Sequence, residues 1–326
     1  MKDTTNERSK VSFAGVWALL KATFNGFMDD KITKLSASLA YYTVFSMGPL
    51  LVLIISLCGL FFKREAIEGK VYSVLQDFVG QDTASQLQAI IKNASITGQS
   101  SAAAIISIIV LVVGATSVFA EIQDSTNGIW GIKAKPKSDW LKLIQNRFLS
   151  FSVIISLGFL LLVSLAITGI IEGISDSLKA RLPQVTVVVF YIFNLLLTFG
   201  ISMLIFAVVF KVLPDAKIKW KDVMAGAFIT ALLFLIGKFG ISIYISQTKV
   251  GSTYGAAGSL VVLFSWVYYS SIILYLGAEF TKAYAVAYGS QIHPNDYAVT
   301  VKQVEVETDK ATIQKNEKVE ASVKIA

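Results

Sequence analysis

The chain has 326 residues, 54% hydrophobic and only 16% charged, where a soluble domain carries about 25% charged residues; this excludes an ordinary water-soluble enzyme and points to a membrane protein. The net charge of +7 would suit a nucleic-acid binder, but in a membrane protein such an excess belongs to cytoplasmic loops. One cysteine, Cys58, and one histidine, His293, leave neither a disulfide framework nor a cysteine cluster for metal.

Residues 1–34 read as a cytoplasmic N-terminal segment. Within it Val11, Ala14, Trp17, Ala18 and Ala22 recur at helical spacing, with Phe13, Leu20, Phe24 and Phe27 adding bulk. That pattern predicts either an interfacial helix on the inner leaflet or a helix packed on a bundle. The first strong apolar run starts near Leu35 and is too long for a signal-peptide core, so no secretory signal is predicted.

Six runs reach the roughly 20 apolar residues that a bilayer span requires. They lie at roughly 35–62, 102–120, 148–171, 184–210, 223–246 and 258–280, within a membrane domain of 35–285. Pro49 should kink the first, because proline cannot donate the helical hydrogen bond. The outer loop 63–101 carries Ile67, Val71, Val74, Leu75 and Phe78, then Leu87, Ile90 and Ile91, which predicts two short helices over the outer mouth. Residues 286–326, rich in Lys, Glu and Thr, read as a disordered cytoplasmic tail. The expected fold is therefore all-α: a polytopic membrane protein of six transmembrane helices, with an N-terminal amphipathic helix and a short helical outer loop.

Of the 29 Lys and Arg residues, 21 fall in the N-terminal segment, the loops 121–147 and 211–222 and the tail, against seven on the other side. By the positive-inside rule both termini are expected in the cytoplasm.

Ionisable groups at membrane depth are costly and so are functional candidates. "GATSVFAEIQDSTNGIWGI", Gly114 to Ile132, sets Glu121, Asp124 and Asn127 three residues apart on one helical stripe. Glu279 should lie at the same level on the sixth helix, and Arg147 at the start of the third. Two readings fit: an ion-pair network gating the cytoplasmic side, or a solvated interfacial belt. Tyr41, Tyr42 and Ser46, with Ser36, Ser38 and Thr43, make the inner half of the first helix rich in hydroxyls. They line a cavity or bond between helices. Asn194 and Lys238 should share one depth, where Lys238 either binds an anionic substrate or snorkels to the outer interface. "GSTYGAAGS", Gly251 to Ser259, offers backbone amides around Tyr254 for a phosphate or carboxylate, or simply forms a tight hairpin. It lacks the G-K-[ST] of a P-loop.

Several stretches together resemble the YihY/BrkB family of bacterial inner-membrane proteins: "ASLAYYTVFSMGPLLVL" from Ala37, the Gly114–Ile132 stretch, "VLPDAKIKWKDVMAGAFITALLF" from Val212, "YGAAGSLVVLFSWVYYSSIILYLGAEFT" from Tyr254, and Lys238 beside Gly237. The likeness covers about 20–285. It implies a multi-pass inner-membrane protein from a family linked to virulence and serum resistance. Many members carry a ribonuclease BN label, which these residues do not support. Metal-dependent RNA hydrolysis needs clustered His, Asp or Glu, and RNA needs a basic, aromatic-studded soluble surface.

The expectation is thus a transporter or permease for an anionic or lipid-like substrate. Its partners are membrane lipids and an unidentified small-molecule or lipid substrate, with no nucleic acid. No enzyme activity, catalytic residue, metal or cofactor is expected. Without an ATP-binding motif, active transport would draw on an ion gradient or a partner ATPase. The alternative is a non-transporting envelope-integrity or scaffold protein.

Overall fold

The computed structural model describes residues 13–58, 68–69, 71–73, 76, 81–93, 101–135, 183–248 and 257–301. Through them run, in chain order, α1 (Phe13–Asp29), α2 (Ile32–Cys58), α3 (Gln81–Asn93), α4 (Ser101–Ile129), β1 (Ile132–Ala134), α5 (Pro183–Val212), β2 (Ala216–Lys217), α6 (Trp220–Thr248), α7 (Gly258–Ala287), β3 (His293–Pro294) and β4 (Ala298–Thr300). The expected span 148–171 and the loop around Tyr254 lie outside these residues.

Three helices among the described residues are long and apolar enough to cross a membrane, through Leu195–Val212, Trp220–Ile241 and Gly258–Ala287. The sequence of α5 is rich in Val, Ile and Phe, which in water favour strands. At membrane depth every backbone group must find its partner within the segment, so such a run forms a helix. Pro183 opens it at the position where a missing N–H costs nothing. The outward faces of α5 and α6 present Ile192, Leu196, Phe228, Leu232, Ile236, Phe239 and Ile243, a surface suited to lipid rather than water.

α7 is the central helix. It packs against α6, α2 and α1, while α2 also packs along α4, and α5 packs along α6. Two glycine–threonine pairs bring α6 and α7 close together. A Cβ at Gly226 would meet Thr281 Oγ1 at 1.8 Å, and one at Gly277 would meet Thr230 Oγ1 at 1.9 Å. Each threonine hydroxyl donates to the carbonyl of its own helix's glycine, Thr230 to Gly226 and Thr281 to Gly277, both at 2.7 Å. The two helices are thus antiparallel and interlocked by matching G-x-x-x-T steps, a small-residue contact typical of membrane interiors.

α1 packs on the bundle along one face and leaves an apolar face exposed. Leu19 and Thr23 are buried, on the side where α1 packs along α7. Phe13, Trp17, Leu20, Phe24 and Met28 form an exposed apolar stripe, with Trp17 67% exposed. α1 ends where Lys31 adopts φ 51°, and Ile32, fully buried, starts α2. α3, at the opposite end of the bundle, packs Leu87 on Leu263, and Ser259 donates to Gln86 at 2.5 Å.

The chain after α7 departs from expectation. Residues 288–301, assigned from sequence to a disordered tail, form β3 and β4. β2 pairs antiparallel with β3, Ala216 opposite Pro294. β1 pairs antiparallel with β4, Ile132 opposite Thr300. The junction between α4 and β1 needs Gly131, whose φ of +65° is the left-handed conformation, and a Cβ there would sit 3.1 Å from the Val301 carbonyl. The α1–α2 turn and the four short strands thus gather at this one end of the bundle.

Candidate functional site

Three polar or cavity features follow from this arrangement. The first is a buried centre on Asp215. The VLPD turn leaves α5 with Leu213 fully buried, which carries Asp215 inward to 1% exposure. α4 runs past residue 120, where its membrane span was expected to end, and places Gln123 and Asn127 one turn apart on the face towards this turn. The Asp215 carboxylate accepts from Gln123 Nε2 at 3.0 Å, Asn127 Nδ2 at 2.8 Å and the Tyr297 hydroxyl at 3.0 Å. Its backbone N–H donates to Asn127 Oδ1 at 2.8 Å, and its carbonyl accepts from the Asn295 N–H at 2.9 Å. Hydrogen bonds to a charged acceptor are the strong ones, and here they tie α4, the α5–α6 turn and the C-terminal strands together. Nearby, Trp130 Nε1 donates to the Ala278 carbonyl at 3.0 Å, and Asp222, in the first turn of α6, accepts from the Ser290 hydroxyl at 2.8 Å.

The second feature is Glu279, 2% exposed on α7. Lys282 lies 3.6 Å from its carboxylate and 3.2 Å from Asp30 on the α1–α2 turn. Gly26 of α1 leaves room for it, since a Cβ there would come within 2.5 Å of Glu279 Oε2.

The third is a cavity of about 370 Å³ among α2, α5, α6 and α7, lined among others by Thr43, Phe206, Phe234, Trp266, Ser270 and Ser271. Phe234 stands edge-on to both Phe206 and Trp266, with each pair of centroids 5.7 Å apart. Its walls are apolar, with hydroxyls as the polar exceptions. The Ser271 hydroxyl is spent on the Val267 carbonyl at 2.7 Å. Ser270 Oγ is buried and makes no hydrogen bond.

The comparisons with known proteins agree on one family. The model of the family described as "Virulence factor BrkB" matches residues 23–298. The chain belongs to the BrkB family. A UPF0761 membrane protein of Pseudoalteromonas atlantica is 27% identical over 268 residues, 82% of this chain and 85% of the relative. Another, from Pseudoalteromonas translucida, is 30% identical over 79% of this chain and 82% of its own length. A third, from Vibrio cholerae, is 29% identical over 78% of this chain and 82% of its own length. No solved structure matches the chain. The BrkB match begins inside α1 and ends inside β4, so every group around Asp215 falls within it.

In this BrkB-family protein the expected cytoplasmic network divides. Asn127 belongs to the Asp215 centre, and Glu279 belongs with Lys282 and α1. Glu121 is half-buried and Asp124 exposed on α4, and Arg147 lies outside the described residues. The expected substrate path also redistributes. Tyr41 and Tyr42 are exposed, with Tyr41 edge-on to Tyr42 and tilted against Phe45, so it is Thr43, on another face of α2, that reaches the cavity. Ser46 is buried. Lys238 is half-buried on α6. Asn194 lies in α5, with its side chain outside the described residues, as is Tyr254.

Gln123, Asp215, Asp222 and Tyr297 were not singled out from sequence as site residues. The signals available were weak: a Q-x-x-x-N step continuing the Gly114–Ile132 stripe, and the isolated Pro-Asp of the VLPD turn.

Proposed function

We propose that this protein is a six-helix inner-membrane transporter or permease for an amphipathic, lipid-like substrate bearing negative charge, with both termini in the cytoplasm. The observation that carries the reading is the apolar cavity at Thr43, Trp266 and Ser270. Its volume of about 370 Å³ falls in the range of about 300–1,000 Å³ typical of ligand sites. It lies between helices that are apolar enough to span a bilayer, and it holds a buried hydroxyl that a substrate headgroup or ester can satisfy. Orientation rests on charge: Lys31, Lys34, Lys133, Lys211, Lys217, Lys219 and Lys282 gather at the end of the bundle where β1 to β4 pair, as the positive-inside rule requires of the cytoplasmic side. Nothing in this reading calls for an enzyme.

The test is reconstitution in liposomes with fluorescent phosphatidylglycerol and phosphatidylcholine analogues, read by quenching from outside. The expected result is translocation of the anionic analogue well above protein-free vesicles. Equal rates with and without protein, across anionic lipids and small organic anions alike, would sink the transporter reading. They would leave the alternative, a non-transporting envelope scaffold, for which the dense hydrogen bonding at Asp215 is the favouring observation.

A further inference from the structure

Apart from the cavity between the helices, a cleft of about 550 Å³ opens at the Asp215 end of the bundle. Lys211, Lys217, Lys219 and His293 line it, and among the described residues no carboxylate does. Its depth is fixed by its neighbours. One candidate span ends at Val212 and the next begins at Trp220, so residues 211–219 lie at the membrane boundary. Exposed Trp220 marks that level, as tryptophans do at headgroup depth.

The nearby acids are already engaged. Asp215 points inward to its three donors, and Asp222 is held by Ser290. Asp296 takes Lys217 at 2.5 Å. Lys211 donates to the Ile218 carbonyl and lies 5.7 Å from the Trp220 ring centroid, which fixes a positive charge in the wall without neutralising it. Lys219 and His293 are exposed; they complete the rim with a further ammonium and an imidazole that can donate a hydrogen bond.

We propose that this cleft is a binding site for a phosphate ester, with Lys219 and His293 as its contacts and Lys211 as fixed positive charge behind them. An anionic phospholipid headgroup and a soluble phosphate share this chemistry. The site does not depend on transport: a protein that moved nothing would still hold a phosphate there.

The experiment measures binding to the purified full-length protein in a non-ionic detergent. The probes are dioctanoyl phosphatidylglycerol, dioctanoyl phosphatidylcholine and inorganic phosphate, tested on the wild type and on the Lys219→Ala/His293→Ala double variant. Both substituted side chains are exposed, and an unchanged unfolding midpoint verifies the fold. Phosphatidylglycerol should bind more tightly than phosphatidylcholine. The double variant should weaken phosphatidylglycerol about five- to tenfold, and high salt should weaken it in the wild type. Displacement of the lipid by millimolar phosphate identifies a soluble phosphate as the ligand; resistance to displacement identifies the lipid headgroup. The proposal is overturned if the two lipids bind alike, or if the folded double variant binds phosphatidylglycerol as the wild type does.

Discussion

Asp215 is the residue on which the closed end of the molecule depends. A buried carboxylate is costly unless hydrogen bonds replace the water it has lost. Gln123 and Asn127 do this from α4, and Tyr297 does it from the C-terminal segment. The charge itself therefore specifies the site, because all three neighbours present donors. Asp215→Asn keeps the shape but turns one acceptor into an N–H₂ group facing another donor. It should cost about 2–4 kcal/mol. Tyr297→Phe removes one donor of three and should cost about 1–2 kcal/mol. Thermal unfolding in detergent checks the order: Asp215→Asn must lower the midpoint clearly more than Tyr297→Phe. Equal shifts would mean that the carboxylate is not the organising charge.

Among the elements, α6 and α7 show how a membrane bundle closes without a hydrophobic force between its helices. Gly226 and Gly277 are small where Thr281 and Thr230 approach, and both threonines are fully buried with their hydroxyls already bonded. Gly226→Ala must push the helices apart and should cost about 1–3 kcal/mol. Gly240, on the same helix, has nothing within 4 Å of its would-be Cβ, so Gly240→Ala should be neutral or slightly stabilising. Melting curves of the two variants test this directly; a Gly226→Ala protein as stable as Gly240→Ala would contradict the interlock. Long apolar runs made helices of this kind legible in the sequence: the runs at 35–62, 102–120, 184–210, 223–246 and 258–280 correspond to α2, α4, α5, α6 and α7. What was not legible depends on partners far apart in the chain. β2 and β3 are two residues each, too short for any periodicity, and exist because Ala216 meets Pro294 across the turn. Tyr297 sits in a polar stretch whose composition resembles a disordered tail, yet Asp215 captures it. Asn127 and Glu279 face different neighbours, Asp215 for the one and Lys282 with α1 for the other, which helical spacing alone does not reveal.

For the molecule as a whole, the described features divide by depth. Hydrogen bonds and short strands tie off the end that gathers the lysines. Farther along the helices, the structure loosens into a cavity with aromatic walls and one unsatisfied hydroxyl. The proposed transport requires that a substrate occupy that cavity, and Ser270 gives access to it. In a Cys58→Ser background, which removes the only native cysteine, Ser270→Cys places a single thiol on the cavity wall. Lipid flux is then measured in liposomes before and after complete reaction with N-ethylmaleimide, with labelling verified by mass. Flux should fall to the protein-free rate once the cavity is filled. Undiminished flux at full labelling would contradict it.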